Sequence, residues 1–207
     1  MRLILASASP ARLLTLRAAG LSPEVVVSEV DESVFHAPTP ADLTSVLAEA
    51  KAETVFSMLG CPDDAIVIGC DSILDFEGRA IGKPGTPEAA VQLLKRTRGR
   101  SGVLVTGHHV IASRGDVQRV NRVGSTIVHV ADLTDEEIDA YVATGEPEHV
   151  AGGFTIDGLG GAFITGIEGD PHNVVGLSLP LVRMMLADCG IEWTSLWVPH
   201  RGLRIDG

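Results

Sequence analysis

Asp71 and Lys83 are the first residues in this chain whose types and spacing suggest chemistry. They lie in IVIGCDSILDFEGRAIGKP, residues 66 to 84. The apolar run Ile66, Val67, Ile68 reads as a buried strand that delivers Asp71 to its C-terminal end, and a hairpin then returns Lys83 to the adjacent strand end. An acid and a base so placed suit a site that holds a metal and a polyphosphate. The same pair also has an ordinary reading, with Asp71 capping a turn and Lys83 a solvated loop cation. A second candidate is Ser7-Ala8-Ser9-Pro10-Ala11-Arg12. A short strand over residues 3 to 6 breaks there into a helix ending at Gly20, with Ser9 as N-cap and Pro10 in the first turn. Hydroxyls, free backbone N–H groups, the positive end of a helix dipole and the Arg12 guanidinium thus meet at one point. That makes a phosphate cradle, or in the plainer reading a capped helix after an edge strand.

Positioning these groups requires alternating strands and helices. Residues 24 to 30 form a strand candidate leading to Asp31 and Glu32, an acidic pair that alone reads as a solvated strand end. Residues 41 to 59 form a helix with Leu43, Val46, Leu47, Ala50, Val55 and Met58 on its apolar face, and Lys51 alone reads as a surface lysine. A helix spans Thr86 to Arg96, and two long strands, 102 to 112 and 120 to 130, join at a polar turn over Ser113 to Asp116. Thr134 and Glu137 form a capping box that opens a short acidic helix. Ala151 to Phe163 is rich in glycine but lacks both a dinucleotide fingerprint and the lysine of a P-loop. A strand from Phe163 to Ile167, a turn at GDPHN, a helix from about Leu179 to Ala187 and a tail over 190–207 with a short strand complete the chain. The pattern predicts one α/β domain over residues 1–207, a mixed β-sheet flanked by helices.

Composition narrows the function. A net charge of −11 argues against a general nucleic-acid binder, although a small anion remains compatible if the few cations are gathered locally. Cys61, Cys70 and Cys189 stand far apart in no metal spacing and read as free thiols of a reducing cytoplasm. Residues 1 to 9 lack a long apolar h-region and a cleavage site, and no apolar run approaches about 18 residues, so neither export nor a membrane span is expected. His108 and His109 would face opposite sides of a strand, so they cannot share one ion, and no zinc spacing exists.

The order LILASASPARLL, VDES, LAEAKA, GCDSI with GKP, EPEHVAGGFTIDGLGGAF and IEGDPHNVVGL resembles the Maf family of nucleoside triphosphate pyrophosphatases, related in fold to the inosine triphosphatases. The match runs from about residue 3 to residue 186. The resemblance implies an active site in a central cleft, with Ser7 and Arg12 gripping the triphosphate. It further implies that Glu32 is an acidic metal-site residue, Lys51 a phosphate-binding lysine, Asp71 the proton acceptor and a metal-site carboxylate, and Lys83 a further catalytic lysine. The residue types fit these roles. Glu32 and Asp71 are hard oxygen ligands for Mg²⁺ or Mn²⁺, Asp71 can take a proton from water, and Arg12, Lys51 and Lys83 can neutralise a polyphosphate. The expected substrate is a nucleoside triphosphate and the expected setting the cytoplasm, with no nucleic-acid polymer and no membrane; a homodimer rests on the resemblance alone. A nucleotide-binding regulator of septum formation with little turnover is the alternative.

Three positions depart from the family pattern. Ala11, Ser72 and Asp157 fall where the resemblance implies choice of base, and they match neither the subgroup acting on dTTP and UTP nor that acting on 7-methyl-GTP. The favoured base is left open.

Overall fold

The computed structural model describes residues 1–198. Strand β1 (Arg2–Ala6) is followed by helix α1 (Pro10–Ala18), which starts as expected: the Ser9 side chain accepts from the Arg12 N–H, and Pro10 occupies the first turn. The expected strand over 24 to 30 shrinks to β2 (Glu24–Val25), which pairs with β1. Beyond it Glu29 takes a positive φ of 51°, which breaks extended geometry, and Asp31 caps a single 3₁₀ turn over Glu32–Val34. Helix α2 (Pro40–Met58) is N-capped by Thr39.

The longest departure from expectation concerns Asp71. It does not end a strand. It lies in the middle of β3 (Ala65–Phe76), which continues through the polar Asp71-Ser72 pair into a hairpin with β4 (Arg79–Ile81). Glu77 and Gly78 turn that hairpin with φ of 57° and 73°, the paired positive values a type I′ turn requires. Then follow α3 (Pro87–Thr97), the long strands β5 (Ser101–Arg114) and β6 (Asp116–Val130), α4 (Asp135–Val142) with its capping box intact, β7 (Ile164–Glu168), α5 (Pro171–Val175) and α6 (Leu179–Asp188). The β5–β6 hairpin is tighter than expected, turning at Gly115 alone with Arg114 opposite Asp116. The expected turn at GDPHN is instead the start of α5, because Asp170 caps it and Pro171 sits at its first position. Of the tail expected over 190–207, residues 199–207 lie outside the described residues; before them comes one 3₁₀ turn at Trp193–Leu196 rather than a strand.

The sheet has seven strands in the order β2-β1-β3-β5-β6-β7, with β4 paired to β3. The β1 pairings with β2 and β3 are parallel and the others antiparallel, so the sheet is mixed as predicted. Its two faces carry separate cores. Leu3, Leu5, Ile66 and Ile68 pack against Leu16 of α1 and Val182 of α6, whereas Ile4, Ala6 and Val67 pack against Ala52, Val55 and Phe56 of α2. This is the strand alternation at work.

Two features of this frame set up the site. Along one edge β3 is paired with β5 from Ala65 to Asp75. Its other edge is shared by β1, which reaches only Gly69, and β4, which begins opposite Leu74. Cys70, Asp71, Ser72 and Ile73 therefore have no strand beside them on that edge, leaving a window in the sheet. The second feature is the close approach of α2. A Cβ at Gly69 would lie 2.2 Å from the Ala48 carbonyl oxygen, and one at Gly107 2.1 Å from that of Thr44. Only glycine lets the helix backbone touch the sheet there.

Candidate active site

Strand parity sends the two polar residues of the window to opposite faces. Asp71 shares the face of Val67 and looks at α2; Ser72 shares that of Ile68 and Cys70 and looks at α1. Lys51 meets Asp71 because α2 buries Thr44, Ala48, Lys51 and Ala52 toward the sheet. Of the residues expected on the apolar face, Leu47 and Val55 are buried on the same side as Lys51, whereas Val46 is 38% and Met58 59% exposed. Lys51 is accordingly a buried lysine, not the surface residue its position alone suggests. Its Nζ lies 2.6 Å from Asp71 Oδ1 and 2.7 Å from Glu32 Oε1. Burial pushes the Asp71 carboxyl above the usual aspartate range, opposed by the charges of Lys51 and Arg12. Glu32 reaches the ammonium from the exposed 3₁₀ turn after β2.

On the other face, Arg12 holds three acceptors. Its Nε donates to the Gly176 carbonyl at 2.7 Å, Nη1 to Ser7 Oγ at 3.0 Å and Nη2 to Ser72 Oγ at 2.9 Å. Three of its five N–H donors are thus used. Thr106 Oγ1 donates to the Asn173 carbonyl at 3.0 Å, so in the 2.9 Å contact between the two hydroxyls the proton comes from Ser72. The Ser72 hydroxyl accepts from Arg12 and gives its proton to Thr106. Asn173, buried after α5 begins, donates through Nδ2 to the Leu104 carbonyl and to Thr126 Oγ1. Close by, His108 Nε2 accepts the Ser178 N–H at 2.9 Å, and burial, with Arg12 adding to it, pushes the imidazole down to about 4. His109 turns to the α2 side, 3.6 Å from the Glu53 carboxylate. The two histidines do face opposite ways.

Ala11 lies half-buried in the first turn of α1, and Asp157 is exposed in the loop before Leu159. Lys83 is exposed on the segment that continues from β4. The antiparallel direction of β4 carries this segment back along β3 toward the window, and the Gly82 carbonyl accepts the Gly152 N–H at 3.1 Å. Among the described residues Lys83 makes no ion pair, and no contact joins it to Asp71.

Sequence reasoning missed Thr106, Asn173, His108 and Gly176, and it missed Glu146. The Glu146 carboxylate accepts from Tyr141 Oη at 2.8 Å, Thr155 Oγ1 at 2.7 Å, the Leu159 N–H at 3.0 Å and the Gly160 N–H at 2.9 Å. Burial raises its pKa, but these donors outweigh it and hold the carboxyl below the usual glutamate range. Glu146 is what closes the glycine-rich loop that carries Asp157. Its presence in the EPEH motif was the available signal.

The carboxylates fit a cation. Glu32 and Asp71 come from separate segments yet direct one oxygen each at a single positive nitrogen. Among the described residues no group of three or more His, Cys, Asp or Glu could hold a metal, so the protein would offer two ligands and leave the rest to water and phosphate, the habit of Mg²⁺. No helix of the described residues is long and apolar enough to cross a membrane.

The chain is 52% identical over 204 residues to a nucleoside triphosphate pyrophosphatase from Cutibacterium acnes, covering 96% of each chain. It is 54% identical over 200 residues to a protein of that name from Streptomyces coelicolor, covering 96% of this chain and 95% of the other. A solved HAM1 protein from Coxiella burnetii aligns at 14% identity with a TM-score of 0.47, over 91% of this chain and 99% of that one. The family model described as Maf-like protein matches residues 2–189, which together with these identities means that the chain belongs to the Maf family.

Proposed function

We propose that this protein is a nucleoside triphosphate pyrophosphatase that hydrolyses the α–β phosphoanhydride to yield a nucleoside monophosphate and pyrophosphate. The observation that carries this reading is a buried carboxylate, Asp71, at an open sheet edge, with the ammonium of Lys51 on one face and the guanidinium and hydroxyls of Arg12 and Ser7 on the other. The names of the relatives support the same reaction.

In this reading the polyphosphate lies along the window. Arg12, already fixed by three acceptors, presents its remaining N–H groups beside the Ser7–Ser9 loop and the N-terminus of α1, and Lys51 and Lys83 supply mobile positive charge. Such preorganised donors stabilise charge developing on phosphoryl oxygens. Asp71 accepts the proton of the attacking water, a role suited to a carboxyl that burial makes more basic than an ordinary aspartate. Glu32 and Asp71 would hold a divalent cation, which when bound supplies Lewis acidity and a more acidic water. Ala11 and Asp157 line the approach for the base, and Ser72, its proton spent on Thr106, shapes that approach by holding Arg12.

The test is pyrophosphate release from a broad panel of standard and methylated nucleoside triphosphates with Mg²⁺ or Mn²⁺. Release from at least one of them is expected, and it should fall to background in Asp71→Asn. Binding without release across the whole panel would replace the enzyme with a nucleotide-binding regulator. An Asp71→Asn protein at the wild-type rate would remove the proton-acceptor role.

A further inference from the structure

Lys51 occupies the position that a metal would take. Its Nζ is the cation between Asp71 Oδ1 and Glu32 Oε1, at 2.6 and 2.7 Å. A small divalent ion such as Mg²⁺ held by those two oxygens would sit at about 2.0 to 2.1 Å from each, within the space of the ammonium and repelled by it. The two cations cannot share those two oxygens. Without the ammonium two carboxylates, one of them 7% exposed, would face each other unpaired at a cost that keeps such pairs rare.

We propose that Lys51 is an internal stand-in for the metal, and that the ammonium must leave the carboxylates before a divalent ion can bind them. The inference rests on the metal-site reading of Glu32 and Asp71 given above. The rest of the frame restricts where the ammonium can go. Its Cα is fixed, because Gly69 and Gly107 hold the α2 backbone against the sheet, whereas the four-carbon stem is flexible. Arg12 does not take its place at the carboxylates, since Gly176, Ser7 and Ser72 hold its fork on the Ser72 face of the sheet, opposite the face on which Lys51 meets Asp71. Once displaced, Lys51 is a buried positive charge that needs a new anion at the window, and a polyphosphate is the anion that fits. Metal and nucleotide therefore bind with positive coupling: the metal frees the lysine for phosphate, and phosphate captures the lysine the metal expels. By linkage each raises the affinity of the other by the same factor. The resting site binds neither tightly and is guarded against loose metal.

Two measurements on the nucleotide-free full chain test this. Mn²⁺ affinity, read by titration calorimetry, should be about tenfold or more tighter in Lys51→Met than in the wild type, because the variant has no ammonium hydrogen bonds to surrender. In the wild type, acetylation of the Lys51 amine by acetic anhydride, read by mass spectrometry, should quicken several-fold when Mn²⁺ is bound; this second arm needs no variant to fold. Equal Mn²⁺ affinity in both proteins, or Lys51 labelling that is unchanged or slowed by bound Mn²⁺, would overturn the stand-in role and leave the proposed function standing. If Mn²⁺ bound to neither protein, with or without a non-hydrolysable triphosphate, the metal-site reading would fall, and the inference with it.

Discussion

Replacing His108 by glutamine should remove a pH dependence from the stability of the fold. His108 is fully buried on β5, and its Nε2 accepts the Ser178 N–H that precedes α6. Arg12 of α1 faces it with a repelling positive charge, while Asp170 before α5 offsets this only in part. Burial and Arg12 lower its pKa from 6.5 to about 4. The folded protein thus keeps the ring neutral where the unfolded chain already binds a proton. The stability contributed by the neutral ring is fully present above about pH 6.5 and is lost as pH falls toward about 4. At about 1.4 kcal/mol per pH unit this amounts to roughly 3 kcal/mol. The Gln side chain can still accept from Ser178 through its amide oxygen but cannot titrate. Urea unfolding of both proteins at several pH values from about 7 to 4 is the assay. The wild-type advantage over His108→Gln should shrink by roughly 3 kcal/mol across that range. His109, which burial also shifts downward, is present in both proteins and cancels in the difference. A difference that stays constant with pH would refute the reasoning.

Three further outcomes are expected. Gly69→Ala should cost about 3 kcal/mol in urea unfolding, because its Cβ meets the Ala48 carbonyl oxygen and α2 must lift; pyrophosphate release should fall further than the folded fraction, as Lys51 moves with the helix. Glu146→Gln, which turns a carboxylate serving four donors into an amide with donors of its own, should cost about 2 kcal/mol and speed hydrogen exchange over residues 155 to 161 while α2 exchanges as before. Arg12→Lys cannot span Gly176, Ser7 and Ser72 at once, so KM for the preferred nucleotide should rise about tenfold; an unchanged KM would mean that the fork only braces the fold.

Much of the frame was legible because local signals were strong. Ser9-Pro10, Thr86, and Thr134 with Glu137 marked helix starts, and Val103 to Val105 and Val110 to Ala112 gave β5 its apolar runs. The site was less legible because its parts depend on contacts far apart in sequence. Lys51 looked like a surface residue because lysine is so rarely buried; yet it stands four residues from both Leu47 and Val55, on the stripe of α2 that packs against the sheet, and only its distant carboxylate partners make that burial tolerable. The full length of β3 was hidden because Asp71 and Ser72 interrupt its apolar pattern at the functional positions. Thr106 and Asn173 carry no motif chemistry of their own. Their roles come from the β3–β5 register, which sets Ser72 opposite Thr106, and from the seat of α5 against β5 and β6.

The opposite orientation of Asp71 and Ser72 makes the site sensitive to arithmetic as well as to chemistry. Losing or gaining one residue between Ala65 and Cys70 would preserve every side chain in the motif, yet it would deliver the hydroxyl to the lysine and the carboxylate to the arginine. The protein can therefore exchange side chains around the window without losing this arrangement. It cannot change the count of residues leading to it, and the spacing from the start of β3 to Asp71 should be inherited more strictly than the identity of most residues within it.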